Sequence, residues 1–215
     1  MELRLPQSCQ QGFTLIELMI TLLIFGVLLS LAGPPFQAWV RGTQLRTYAE
    51  SFQSAVQLAR AEAIKRNGYV ELVLTNDAVS PAISASVSAN NKGTAWLIRA
   101  CPDCINLGSA PTVANPSYPF IEGKTVTEGN STQFKLAADQ SLLRFDALGR
   151  ANRSLSLIVS AKESKVADCR TAPAESNTIK SPARICLLAD EGGNTQLCLP
   201  DAPAKNPASC MRTAK

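Results

Sequence analysis

Cysteine is the residue type with the clearest chemical potential in this 215-residue chain, which contains seven cysteines and no histidine. The cysteines are Cys9, Cys101, Cys104, Cys169, Cys186, Cys198 and Cys210. Because histidine is absent, Ser-His-Asp and Cys-His catalysis, histidine metal ligation and histidine pH switches are excluded. We find no group of side chains arranged for acid–base catalysis. The sequence therefore predicts a protein that is not an enzyme and needs no cofactor or metal.

The segment Cys101-Pro102-Asp103-Cys104 has the C-x-x-C spacing of thioredoxin-type redox sites. Such sites lie between a strand and the N-terminus of a helix, and the following INLGSAPTVANP is a poor helix sequence. A zinc site formed by Cys186, Cys198 and Cys210 is disfavoured as well, since cysteines in an oxidising compartment form disulfides. We therefore predict structural disulfides, each contributing about 2–4 kcal/mol of stability.

Six cysteines form an even set if Cys9 is removed by processing, and they allow many pairings. Cys101–Cys104 is the favoured local pair. The other candidate pairs are Cys198–Cys210, which would tie the tail to the last strand, and Cys169–Cys186, which would tie a long loop to a hairpin. Cys186–Cys198, across that hairpin, is the main rival.

A membrane-length apolar segment, FTLIELMITLLIFGVLLSLAG, extends from Phe13 to Gly33 and contains one charged residue, Glu17. About 20 apolar residues in a helix cross a hydrocarbon core of about 30 Å. The simple alternative is a plain signal anchor that holds an exported domain. Glu17 argues for a more specific role, because inserting a carboxylate into a bilayer costs roughly 2.5–3.5 kcal/mol.

The residues Gly12-Phe13-Thr14-Leu15-Ile16-Glu17 resemble the type IV prepilin signature. The resemblance implies that a prepilin peptidase cuts after Gly12 and that the new N-terminal residue, Phe13, is N-methylated. Residues 1–12 would then be a leader that is lost together with Cys9. The segment 13–34 would be a helix that first spans the membrane and later lies in a filament core.

Cleavage would create an α-amino group beside an apolar segment, with Glu17 one helical turn away. Burying either charge alone is costly, whereas a buried pair is tolerated. We predict that Glu17 pairs with the Phe13 amine of an adjacent subunit, which would also set the axial register of assembly. The competing interpretation is a glutamate that reaches the bilayer edge without a partner.

Residues 35–67 are predicted to form an amphipathic helix that ends at Asn67-Gly68. Its apolar positions recur at three- and four-residue steps, at Leu45, Tyr48, Phe52, Ala55, Val56, Ala59, Ala63 and Ile64. Joined to the segment 13–34, it would complete one long rod. Pro34-Pro35 and Gly42 are the predicted points of kinking or local melting.

Residues 68–215 are predicted to form an antiparallel β domain on which the helix packs, giving an α+β fold. The predicted strands are 69–75, 95–100, 141–145, 155–161, 184–189 and 195–200, the last two forming a hairpin. Residues 101–133 and 162–183 are predicted to be irregular loops.

Two segments, LARAEAIKRN and LLRFDALGRANR, make the chain similar to the GspH/FimT/FimU group of minor pilins and pseudopilins. The resemblance implies a structural subunit of a type IV pilus or a type II secretion pseudopilus, in its assembly-priming or tip complex. Expected partners are other pilins, the prepilin peptidase and the inner-membrane assembly platform. The expected location is the bacterial inner membrane, crossed once with residues 68–215 in the periplasm, and then the filament.

The alternative function is DNA binding by a minor pilin of a competence pilus. Some members of the group use a glycine-arginine-x-arginine run on the last hairpin, where this chain has Gly193-Asn194-Thr195-Gln196. The nearby basic residues are Arg184, Lys205, Arg212 and Lys215, and no aromatic residues alternate with them. The net charge of +4 is small for a nucleic-acid binder. An ordinary solvated surface is therefore favoured over a DNA patch.

Overall fold

A computed structural model of the chain describes residues 12–84, 86–104, 106–108, 118–125, 134–161, 169, 184–203 and 205–210. The side chains of residues 30–38 are outside this description, as is the predicted leader up to residue 11, with Cys9. The chain divides into two compact units, Met1–Val40 and Arg41–Lys215. Each unit is described by itself.

A single α-helix, α1, extends over Leu15–Arg66. The helical backbone continues through Pro34, Pro35 and Gly42, so the predicted local melting at these residues is wrong. A proline inside a helix removes one backbone hydrogen bond and its ring clashes with the preceding turn, yet the helix continues through both prolines.

The predicted end of α1 is confirmed, and its geometry explains it. Asn67 has a positive φ of 48° and donates its N–H to the Ile64 carbonyl at 3.2 Å, while the Gly68 N–H reaches the Ala63 carbonyl at 3.1 Å. This pair of bonds is the Schellman motif, in which a left-handed residue satisfies the last helical carbonyls. Asparagine tolerates that conformation better than most residues.

The described part of Arg41–Lys215 contains eight strands in two antiparallel sheets. They are β1 Val70–Thr75, β2 Ala95–Ala100, β3 Phe120–Lys124, β4 Phe134–Ala138, β5 Leu142–Phe145, β6 Leu155–Ala161, β7 Arg184–Ala189 and β8 Thr195–Cys198. The first sheet has the order β3-β2-β1-β5 and the second β4-β6-β7-β8. The predicted α+β class is confirmed, and β7 and β8 form the predicted hairpin.

One core joins the distal part of α1 to the inner faces of both sheets. The buried helix residues are Leu45, Tyr48, Ala49, Phe52, Ala55, Val56, Ala59 and Ala63. Alternate residues of the strands, such as Leu72, Ile98 and Leu157, complete this core. Ile64 departs from the predicted apolar face, because half of its surface is exposed.

The sequence did not predict β3 and β4. β3 lies inside the segment 101–133 that was predicted to be irregular, and this part of the prediction is wrong. β3 contains Gly123, where an added Cβ would lie 2.4 Å from Val79 Cγ1. Close packing therefore requires a residue with poor strand propensity. β4 ends in two alanines, which are weak strand formers, and forms through pairing with β6.

Candidate functional site

The predicted processing site lies at the start of the helix. Residues 12–14 are not helical, and Thr14 caps α1, because its Oγ1 accepts the Glu17 N–H at 3.3 Å. Thr14 and Glu17 thus have the spacing of a capping box. Gly12 has no atom near its missing Cβ, and Phe13 is 85% exposed. Gly12 and Phe13 therefore lie exposed, ahead of the helix.

The first turns of α1 expose apolar side chains on every face. The residues are Phe13, Leu15, Ile16, Leu18, Met19, Ile20, Leu22, Leu23, Ile24, Phe25, Val27, Leu28 and Leu29, each more than half exposed. Glu17 lies exposed among them, and it forms no ion pair within the described residues. A helix that is apolar all round is stable only when lipid or other helices cover it. Among the described residues, no helix combines the length and the apolar character that crossing a membrane requires.

Three disulfides join the six predicted cysteines. They are Cys101–Cys104, Cys169–Cys186 and Cys198–Cys210, with Cα–Cα distances of 5.4, 5.8 and 5.0 Å. The predicted presence of disulfides is thereby confirmed. Cys186 and Cys198 lie opposite each other across the β7–β8 hairpin, but each is bonded elsewhere, so the rival pair is not formed.

The C-x-x-C disulfide is buried, with Cys101 1% and Cys104 6% exposed. A redox-active pair must present one sulfur to its substrate, and this one does not. The Glu71 carboxylate and both sulfur atoms lie within 4.8 Å of one another. The two sulfurs share a disulfide and Glu71 is ion-paired, so this cluster is structural. Cys186, Cys198 and Cys210, considered above as zinc ligands, are disulfide-bonded.

Sequence reasoning missed a buried ionic triad on the outer face of the first sheet. Glu71 in β1 lies between Arg99 in β2 and Arg144 in β5 in the strand register. Glu71 Oε1 is 2.6 Å from Arg144 NH2, and Glu71 Oε2 is 2.9 Å from Arg99 Nε. All three side chains are at most 5% exposed. The available signal was one charged residue in each of three otherwise apolar strands.

Loops cover this triad and satisfy its remaining donors. Arg99 donates to the Ser84 carbonyl at 2.7 Å, and Arg144 donates to the carbonyls of Asn106 and Leu107 at 3.2 and 3.3 Å. The guanidinium of Arg99 lies 4.8 Å from the ring centre of Tyr118. Because buried charges are tolerated only when paired and hydrogen-bonded, the triad fixes these loops against the sheet.

Two tight turns meet at Arg60 near the end of α1. Gly149 and Gly193 have φ of 75° and 77°, and a Cβ on Gly193 would lie 2.7 Å from Arg60 Cδ. Arg60 donates to the Gly193 carbonyl at 3.3 Å, and the Ala151 N–H donates to the Glu191 carbonyl at 2.8 Å. Only glycine permits this approach, so the two turns and the helix are held as one rigid corner.

An aspartate anchors each turn. Burial raises the pKa of the Asp146 carboxyl, but hydrogen bonds from the Arg150 backbone and side chain and from the Leu148 N–H outweigh it, and the pKa is lowered overall. In the other turn, hydrogen bonds from the side chain and the backbone of Asn194 lower the pKa of Asp190. Both carboxylates therefore stay ionised and keep their turns closed.

The predicted DNA-contact residues are not brought together within the described residues. Arg184 is only 11% exposed and forms a bidentate ion pair with Asp201, with Nε to Oδ1 at 2.8 Å. Lys205 is exposed on the tail, and Arg212 and Lys215 lie outside the described residues. Arg184 is thus already neutralised and turned away from solvent.

Comparison with known proteins adds to these observations. A family model described as the prokaryotic N-terminal methylation motif matches residues 7–33, and one described as the type II transport protein GspH matches residues 48–179. The chain is 29% identical over 156 residues to the pilin-like protein PilA1 of Thermus thermophilus, covering 64% of this chain and 99% of that protein.

Two solved structures are similar to the chain at lower identity. The type IV minor pilin FimU of Pseudomonas aeruginosa has a TM-score of 0.45 at 14% identity, covering 80% of this chain and 98% of that one. The minor pseudopilin EpsH of the type 2 secretion system of Vibrio cholerae has a TM-score of 0.42 at 14% identity, covering 74% and 99%.

The fold and the N-terminal motif together define a type IV pilin-like protein, of the minor pilin or pseudopilin class. Such proteins are structural subunits and not enzymes. Because the GspH model covers more than half of the chain, the chain belongs to the GspH family.

Proposed function

We propose that the chain is made as a membrane-anchored precursor, cleaved after Gly12, N-methylated at Phe13, and then incorporated into a pilus or pseudopilus. The observation that carries this proposal is the start of α1. The scissile bond lies outside the helix, Thr14 caps the helix, and apolar side chains follow on every face. One segment then serves as a protease substrate, a membrane anchor and a surface for packing with other helices.

In this proposal residues 1–12 are the leader, 13–34 the membrane and filament-core segment, 35–67 the amphipathic helix and 68–215 a periplasmic β domain. The prepilin peptidase and the inner-membrane assembly platform act on the precursor. The three disulfides favour the oxidising periplasm for the β domain. Family membership favours a minor subunit of the priming or tip complex.

Glu17 has two roles in the proposal. Its backbone N–H completes the Thr14 cap, and its exposed carboxylate is free to pair with the Phe13 amine of an adjacent subunit. Desolvating the amine without a counter-charge would be costly, so the pair forms only when two subunits have the correct axial offset.

Coexpression of the full chain with a prepilin peptidase tests the processing step. Mass spectrometry of the N-terminal peptide should show N-methylated Phe13 for the wild type, and Gly12→Val should stay uncut because its branched side chain obstructs the extended bond. Glu17→Ala is the control that should be cut normally yet be depleted from sheared filaments. An uncut wild-type chain, or Glu17→Ala in filaments at the wild-type level, would contradict the corresponding step.

A further inference from the structure

Leu148 is exposed at the tip of a turn that does not need a leucine. The turns 146–150 and 190–194 are built alike, with an aspartate first and a left-handed glycine fourth. In both turns the glycine N–H donates to the aspartate carbonyl at 2.9 Å, and the aspartate N–H donates to the carbonyl of the fifth residue at 3.0 Å. The second turn has Gly192 where the first has Leu148. Turn geometry therefore leaves the leucine, which is 70% exposed, unexplained.

The turn holds Leu148 rigidly in this exposed position. Asp146 Oδ1 accepts the N–H groups of Leu148 and Arg150, each at 2.9 Å. The neighbouring Gly149 packs against the helix, where an added Cβ would lie 2.8 Å from Ile64 Cδ1. A residue whose backbone is fixed in advance loses less conformational entropy when a partner covers it, which is typical of an interface anchor.

A second exposed apolar side chain and one cation lie beside this turn. Ile64 in the last turn of α1 is 50% exposed, although the sequence periodicity predicted that it would be buried. Arg150 is bound to the same Asp146 carboxylate that holds the Leu148 N–H. We call Ile64, Leu148 and Arg150 the corner patch.

The cation of the corner patch is much more exposed than the carboxylate that pairs with it. The side chain of Arg150 is 63% exposed, whereas that of its partner Asp146 is 9% exposed. Solvent therefore meets positive charge beside an apolar centre. A surface of this kind complements an apolar socket bordered by carboxylates.

We propose that the corner patch is a docking surface for another pilin-like subunit of the same filament, which receives Leu148 in an apolar socket edged by acidic side chains. The proposal rests on the proposed function, because a filament supplies the neighbouring subunit. A protein partner fits better than nucleic acid, since Arg150 is already paired with Asp146 and the centre of the patch is aliphatic.

The test uses the full chain in its own host, with the chromosomal copy deleted and variants supplied in its place. Leu148→Asp should lower the amount of the chain in sheared filaments about tenfold or more relative to its amount in membranes, as expected for an anchor residue. Arg150→Glu should lower it about fivefold, whereas Arg150→Lys keeps the cation and should behave as wild type. Leu148→Met and Lys92→Glu, on another exposed turn, are the matched controls.

Mobility on non-reducing gels reports whether each variant has formed its disulfides. If Leu148→Asp does not form its disulfides, Leu148→Ala is used in its place. The amount of Leu148→Ala in filaments should be about threefold lower than that of the wild type. Wild-type chain missing from filaments would remove the proposed function and this inference with it. If the wild-type chain is present in filaments and the Leu148 variants are present at the same level, the inference is overturned and the proposed function is not. The same holds if the variants assemble normally and Arg150→Glu instead weakens retention of a labelled DNA duplex.

Discussion

Replacing Glu71 by glutamine should destabilise the β domain more than any surface change. The carboxylate accepts bonds from Arg144 Nε and NH2 at 3.0 and 2.6 Å and from Arg99 Nε at 2.9 Å. Glutamine has nearly the same shape, so packing is preserved. It removes the negative charge that Glu71 places between the two buried guanidinium groups, and it directs an amide N–H₂ toward one of them.

The expected loss can be derived from this geometry. Removing one partner of a buried ion pair costs about 3–5 kcal/mol, because the remaining charge stays desolvated. A domain of this size has a total stability of about 5–15 kcal/mol, so the loss is a large fraction of it. At about 2–4 °C per kcal/mol, the melting temperature should fall by about 6–20 °C.

The assay is urea unfolding of residues 41–215, the unit that contains the whole core, with disulfides intact. Glu50→Gln is the matched control, because its partner Arg46 is 72% exposed and that pair contributes at most about 1 kcal/mol. A loss below about 1 kcal/mol for Glu71→Gln would show that water reaches the triad and that its burial has been misjudged.

Three further outcomes are expected for the same unit. Gly193→Ala should lose about 1–3 kcal/mol in urea unfolding, because φ is 77° and the added Cβ meets Arg60, whereas Gly192→Ala, with a normal φ, should change little. The pKa of Asp146 is lowered on folding, so its stabilisation is present above the ordinary value of 3.8 and is lost as pH falls further; Asp146→Asn should flatten the acid limb of a stability–pH curve. Burial raises the pKa of Tyr48 to about 12, so the stabilisation from its neutral phenol is complete below pH 10 and is lost as pH rises toward 12; ultraviolet titration should show a late tyrosine step that Tyr48→Phe abolishes.

The sequence predicted those parts of the fold that depend on residues close together in the chain. The end of α1 at Asn67-Gly68 was predictable because the cap needs one left-handed residue, and the hairpin because its turn is short. β3 was not predictable, since Gly123 is there to admit Val79, a contact between segments distant in sequence.

The triad shows the same limit for a site. Glu71, Arg99 and Arg144 are far apart in the chain and meet only through strand register. A one-residue shift in any of the three strands would turn its charge toward the core, so the triad is a result of pairing that no single segment encodes. Ile64 is similar, because it lies beside Gly149, which is distant in sequence.

The order of the disulfides has a consequence for biogenesis. The six cysteines from Cys101 onward are bonded in three consecutive pairs, so no bond encloses another. If the proposed periplasmic β domain crosses the membrane in order from residue 68, each cysteine pair reaches the oxidant before the following pair emerges. Cys186 is then already consumed by Cys169 when Cys198 arrives, although those two face each other across the hairpin. Vectorial export alone therefore selects the native connectivity, and maturation should proceed without a disulfide isomerase.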